Sequence, residues 1–140
     1  MTVNVNSDLI QAYSSARYVI CSDPLITLRV NEVSVELANL MITKAFCKAA
    51  FITAFNPFRE ILSADENDLR HKLLVEKINR LGLAAYDGFG SDESGEWPAE
   101  KSLLILDIKM SEAIKLAKDF GQNAILWIEE DAIPRLIITA

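Results

Sequence analysis

The tetrapeptide Ser63-Ala-Asp-Glu66 constrains this chain more than any other local feature. Serine followed three residues later by glutamate is a capping box. The serine hydroxyl accepts from the third helical amide, and the glutamate reaches back to the serine amide. A helix is therefore expected to open after Ser63. Leu69, Leu73, Leu74, Ile78 and Leu81 follow at mostly three- and four-residue spacing and are read as its apolar face. Gly82 stands where a left-handed residue ends a helix.

Strand signals flank that helix. Residues 49–55 (AAFITAF) are β-rich. Asn56-Pro57 stops them, because proline pushes the residue before it to extended geometry and offers no ladder N–H. A strand is expected at 83–86, a Gly-rich acidic loop at 87–100 (DGFGSDESGEWPAE) and a buried strand at 102–108. Ser111 is expected to cap a second helix carrying Ala113, Leu116, Ala117 and Phe120, which ends at Gly121. A strand over 124–128 follows. The order β-α-β-β-α-β is that of the ferredoxin-like split βαβ core, one antiparallel sheet with both helices on one face. Upstream lie a helix over 7–17 with Leu9, Ile10 and Tyr13 as its stripe, and a strand pair, 18–21 and 25–30, turning at Asp23-Pro24. A helix capped by Ser34 comes next, with Leu37, Leu40, Met41 and Ala45 at helical spacing. A last strand is expected over 136–139, after Pro134. The fold class expected is α+β: a ferredoxin-like core with an N-terminal helix/hairpin/helix extension and an extra C-terminal strand. A different mixed α+β sheet built from the same elements is the alternative.

Composition narrows the class of protein. With 140 residues, 51% apolar and 24% charged, and a mean hydropathy of +0.18, one domain spanning 1–140 with one real core is expected. A net charge of -6, without two adjacent basic residues anywhere, disfavours nucleic acid and anionic membrane as partners. The greasiest stretch, 40–55, is interrupted by Lys44 and Lys48, so no bilayer span is expected. The first eight residues carry neither a basic nor an apolar signal-peptide region, and a cytoplasmic location is expected. Cys21 and Cys47 form no CxxC, and the single His cannot complete a zinc site with them. They are read as small buried side chains of a reducing compartment, with no metal and no cofactor expected.

Standard catalytic motifs are absent: no GxSxG, Walker A, HExxH or EF-hand. Gly88-Phe-Gly90 begins like a dinucleotide fingerprint, but Glu93 stands at the third glycine, and Asp87, Asp92 and Glu96 would repel a phosphate. It is read as a hairpin loop, and its acids as a solvated turn rather than metal ligands. His71, between Arg70 and Lys72, is read as a surface residue with nothing to tune it as a base. Trp97 either packs its loop onto the core or offers a platform to a ligand.

Four segments carry a resemblance. Phe51-Ile-Thr-Ala-Phe-Asn-Pro57, Glu66-Asn-Asp-Leu-Arg70, Trp97-Pro-Ala-Glu-Lys-Ser102 and Phe120-Gly-Gln-Asn-Ala124 resemble, in order and spacing, an uncharacterised family of small bacterial proteins catalogued as a domain of unknown function. Its pattern is a TA-aromatic-NP strand end, an N-x-x-R helix start, a W-x-E-x-S strand start and an FGQNA turn, and the resemblance covers about residues 25–135. Glu100 falls one residue later than W-x-E requires. The family implies no established activity.

Connectivity adds a site. In a split βαβ core the first strand ends, the first helix starts, the second hairpin turns and the last strand starts at the same end of the sheet. That gathers Asn56, Asn67, Arg70, Trp97, Glu100, Gln122 and Asn123. Convergent polar groups build ligand sites, and the helix N-terminus and Arg70 would favour a small anionic molecule. A ligand-binding or regulatory module is expected. One alternative is a protein partner docking through a sheet edge or the Trp97 loop. Another is a small hydrolase or transferase with Glu100 as acid/base and Arg70 as anion stabiliser. A purely structural account stands beside these: Asn56 turning the strand into its loop, an Arg70–Glu100 ion bridge, and Gln122 and Asn123 closing the helix end.

Overall fold

A computed structural model describes residues 7–94 and 98–140. Within them the chain forms α1 (Ser7–Ser15), β1 (Arg17–Ile20), β2 (Ile26–Leu28), α2 (Val35–Lys44), β3 (Ala49–Thr53), a 3-10 turn (Pro57–Arg59), α3 (Ala64–Arg80), β4 (Ala85–Ser91), β5 (Glu100–Leu106), α4 (Met110–Asp119), β6 (Ala124–Ile128) and β7 (Arg135–Ile138). The seven strands lie in one curled, wholly antiparallel sheet, in the order β2-β1-β4-β5-β3-β6-β7. The N-terminal strand pair thus extends the sheet beyond β4, and the C-terminal strand extends it beyond β6. The 23–24 peptide is cis.

The sheet separates two cores. Successive strand residues point to opposite faces. Ala50 and Ile52 of β3, with Leu103, Ile105, Ile125 and Trp127, meet Leu74 and Ile78 of α3 and Ala113, Leu116 and Ala117 of α4. Both helices lie on that face, as expected. Ala49 and Phe51, with Leu104, Leu126 and Ile128, meet Leu37 and Met41 of α2 and Ile20, Ile26 and Leu28 of the N-terminal strands. Strands covered on both sides carry no polar stripe, which is why 49–55 and 102–108 read as continuous apolar runs. Each fully buried Leu or Ile here contributes about 1.5–3 kcal/mol.

The caps of α3 match their sequence signals. Ser63 Oγ accepts from Glu66 N at 3.1 Å, and Ser63 N donates to Glu66 Oε1 at 3.3 Å. Gly82 adopts φ +72°, and Leu83 N reaches back to the Ile78 carbonyl at 3.2 Å. The buried face of α3, however, is Asn67, Leu74 and Ile78, while Leu69 and Leu73 are exposed. At about 100° per residue, Leu69 and Leu74 are 140° apart and cannot share a face.

Other expectations are corrected as well. The loop expected over 87–100 is strand as far as Ser91, because Gly88 and Gly90 pair with Ile20 and Tyr18 on one side and with Ser102 and Glu100 on the other. A Cβ on Gly88 would meet the Val19 carbonyl at 2.6 Å and the Phe51 ring at 2.9 Å, so Gly88 admits close packing rather than a turn. Helix α4 is capped by Lys109 without a side-chain bond, and Ser111 lies inside its first turn. Cys21 and Cys47 are exposed free thiols at the chain corners after β1 and before β3, not core residues. Among the described residues, no helix is long and apolar enough to cross a membrane.

Candidate functional site

The polar cluster is built around Asn56. Strand β3 ends at Thr53, and the chain then turns with Asn56 in the left-handed region (φ 47°, ψ 61°), which asparagine tolerates better than most residues. Its backbone N–H donates to Asn67 Oδ1 at 2.9 Å. Its Nδ2 donates to Glu100 Oε2 at 2.9 Å. Its Oδ1 accepts from Leu62 N at 3.0 Å and from Asn67 Nδ2 at 2.9 Å. One side chain thereby ties together the end of β3, the lead into α3, the first turn of α3 and the start of β5. Asn67 sits buried on the core face of α3, so its amide is fixed from behind.

Arg70 and Gln122 hold the neighbouring loops. Arg70 donates from Nε to the Ala54 carbonyl at 2.8 Å and from Nη2 to the Phe120 carbonyl at 2.5 Å, with its guanidinium 5.7 Å from the Phe120 ring centroid. Gln122 Nε2 donates to the Phe55 carbonyl at 2.9 Å and to the Phe120 carbonyl at 3.2 Å. These bonds join the corner after β3 to the C-terminal end of α4. Gly121 lets the two approach: it has φ +68°, and a Cβ there would meet Pro57 Cβ at 2.7 Å. Asn123 is buried, its carbonyl accepting from Thr139 N at 2.8 Å, while its Oδ1 has no hydrogen-bond partner among the described residues.

Glu100 is the carboxyl of the cluster, and it forms no ion pair among the described residues. The Arg70–Glu100 bridge weighed from the sequence is absent, since Arg70 is engaged by carbonyls and Lys101 pairs instead with Asp68 at 3.0 Å. By strand alternation Glu100 lies on the face of Leu104 and Tyr18, whereas Arg70 belongs to the helix on the other face. Burial raises the Glu100 pKa above the ordinary carboxylate range, and the Asn56 hydrogen bond only partly opposes this. Tyr18 faces it across Gly90, which pairs with both. Burial, then the neighbouring Tyr13 and Glu100, push the Tyr18 hydroxyl pKa upward, and that hydroxyl donates to the Tyr13 carbonyl at 2.6 Å.

Asn56, Asn67 and Glu100 thus form one connected network, and Arg70 and Gln122 a second beside it that shares the 54–55 corner. Trp97 lies outside the described residues. His71 is not the surface residue expected: it is half-buried, its ring edge-on to Phe55 with centroids 6.4 Å apart. The spacing 67/71/74/78 was the available signal, since it continues the buried stripe of α3. Tyr18 and Thr139, whose Oγ1 donates to the Gln122 carbonyl at 2.6 Å, had no such signal, because only long-range strand pairing brings them here. At the opposite end of the sheet, Cys47, Lys48, Asp107, Glu130 and Arg135 line an open depression. Among the described residues no group of three or more His, Cys, Asp or Glu could hold a metal ion.

Fold and site together define a mixed α/β protein with a hydrogen-bonded polar cluster at one end of an antiparallel sheet. The profile of a family described as a protein of unknown function (DUF3293) matches residues 52–125, over half of the 140-residue chain, and the chain belongs to that family. No curated protein and no solved structure matches it.

Proposed function

We propose that this chain is a ligand-binding module whose site is the end of the sheet around Asn56 and Glu100. The observation that carries the reading is Glu100, a largely buried carboxyl held by an asparagine amide and left without a cationic partner among the described residues. A charge placed so costs free energy unless something completes it. The ligand that suits it is a small polar molecule with hydrogen-bond donors. For an anionic group on such a molecule, Arg70 offers the guanidinium N–H groups that the Ala54 and Phe120 carbonyls do not use. The surrounding amides are fixed by backbone groups, which is the preorganisation a binding site needs. Catalysis has less support, because the acid and the anion stabiliser it needed belong to opposite faces of the sheet.

The core is also read as ferredoxin-like. The order β4-β5-β3-β6 sets the second, third, first and fourth strands of the β-α-β-β-α-β segment side by side and antiparallel, which supports that reading. Docking of a protein has an observation of its own: Phe58 and Ile61 ahead of α3, and Leu69 and Leu73 on its outer face, are all exposed.

A thermal-shift screen against metabolites and nucleotides tests the ligand reading. A binder raises the melting temperature by mass action, about 2.7 kcal/mol of stabilisation at a hundredfold excess over Kd. The shift is expected with the parent chain and is expected to shrink severalfold with Glu100→Gln. A broad library that yields no hit, or hits indifferent to Glu100, would count against the site.

A further inference from the structure

His71 is the chain's single histidine, and nothing proposed so far uses it. It continues the buried stripe of α3, one turn beyond Asn67. Its ring stands edge-on to Phe55 at an interplanar angle of 85°. Its Nδ1 is buried and has no hydrogen-bond partner among the described residues. The charged groups facing it are Lys101 from β5, Asp87 from β4 and Asp68 from its own helix. Asp68 is already engaged by Lys101, which leaves Asp87 as the carboxylate without an ion pair among the described residues.

Phe55 is the residue through which His71 reaches the candidate site. Its N–H donates to Thr53 Oγ1 at 3.1 Å, its carbonyl accepts from Gln122 at 2.9 Å, and the next residue is Asn56. The imidazole therefore supports the corner from which the Asn56 network hangs. A neutral ring suits this position. A protonated one does not: an N–H at Nδ1 would be buried without an acceptor, and the Lys101 charge opposes it.

We propose that His71 is a proton-operated latch on the Phe55–Asn56 corner, neutral and seated when the site is formed, protonated and swung toward Asp87 when the corner loosens. As a means of regulating ligand binding, this rests on the reading of the Asn56 end as a ligand site. The change itself needs no ligand. Burial first, and Lys101 second, hold the imidazole below its ordinary range, while Asp87 and Asp68 oppose them, so the latch operates on mild acidification.

Proton NMR tests this directly, because one histidine gives one set of ring resonances. The titration is run from about pH 8 to about pH 5 in the Glu100→Gln background, so that no carboxyl of the site titrates in the same window. The His71 ring protons are expected to titrate with a midpoint below about 6.5. The side-chain amide signals of Asn56 and Gln122 are expected to move with that midpoint, and to stay flat in the same window once His71→Phe is added. His71→Gln, smaller and neutral, serves if the Phe variant does not fold. A His71 midpoint at or above the ordinary value overturns the latch. So do amide signals that ignore the titration, or that still move without His71. These outcomes are read without any ligand, so they are distinct from a failed binding screen.

Discussion

Replacing Asn56 by alanine separates the two things this residue does. The substitution removes three side-chain hydrogen bonds, to Glu100, Leu62 N and Asn67, and leaves a left-handed backbone at φ 47°. In this half-buried setting the bonds contribute about 0.7 kcal/mol each, about 2 kcal/mol together. Alanine in the left-handed region adds about 1 kcal/mol, for a total of about 3 kcal/mol. The unfolding entropy of a chain this long is about 0.3 kcal/mol/K, so the melting temperature should fall by about 10 °C. Asn56→Gly loses the same bonds without the backbone strain, and should fall by about 7 °C. Both can be read by circular dichroism melts, with urea titrations to give free energies from unchanged slopes. If the alanine variant melts within about 3 °C of the parent, the network is not a structural hub. If glycine proves no milder than alanine, the backbone part of the reasoning is wrong.

Two left-handed glycines, Gly82 and Gly121, give a matched pair. Gly82→Ala meets nothing within 4 Å and should cost about 1 kcal/mol of strain, whereas Gly121→Ala, crowded by Pro57 and Phe58, should cost about 3 kcal/mol in the same melts. Ser63→Ala removes the N-cap acceptor of α3 and should lower stability by about 1 kcal/mol in urea titration. Glu100→Gln should melt above the parent near neutral pH, with the gap closing as the pH falls. The folded state holds the Glu100 proton more tightly than the unfolded chain, so ionisation costs stability as pH rises through the Glu100 range. A Gln variant that melts lower at neutral pH would contradict the unpaired, desolvated carboxyl.

Much of this architecture was legible because local signals agreed with one another. The capping box, Gly82 and Gly121 are each a matter of a few adjacent residues and sit where expected. The Asn56-Pro57 stop ends the strand too, but β3 closes at Thr53 and Asn56 is left-handed rather than extended, because its amide and side chain are held by Asn67, Leu62 and Glu100. The convergence of Asn56, Asn67, Glu100 and Gln122 followed from strand direction alone. Partner choice did not. Arg70 could face a carboxylate or a carbonyl with equal chemistry, and only the three-dimensional approach of the 54–55 and 120 carbonyls decides it. Gly88 and Gly90 look like turn residues until β1 is known to pair there, and that pairing spans about seventy residues of chain. His71 is hidden in the sequence because its charged neighbours along the chain say nothing about the face it occupies.

Burial of β3 on both faces has a consequence for alignment. In a strand with one wet side, a slip of a single residue throws the apolar set into water, and that penalty fixes the pairing. Strand β3 has no wet side to lose. A slip against β5 would exchange which cluster receives each side chain, Ala49 and Phe51 for Ala50 and Ile52, while keeping all of them dry. What resists the slip stands at the strand's end. Thr53 Oγ1 donates to the Lys101 carbonyl at 2.7 Å, and Asn56 Nδ2 reaches Glu100 at 2.9 Å, two stitches that only one alignment permits. The polar corner therefore serves the hydrophobic sheet as its registration mark. Chains that lose it should refold with misaligned central strands before they lose helices.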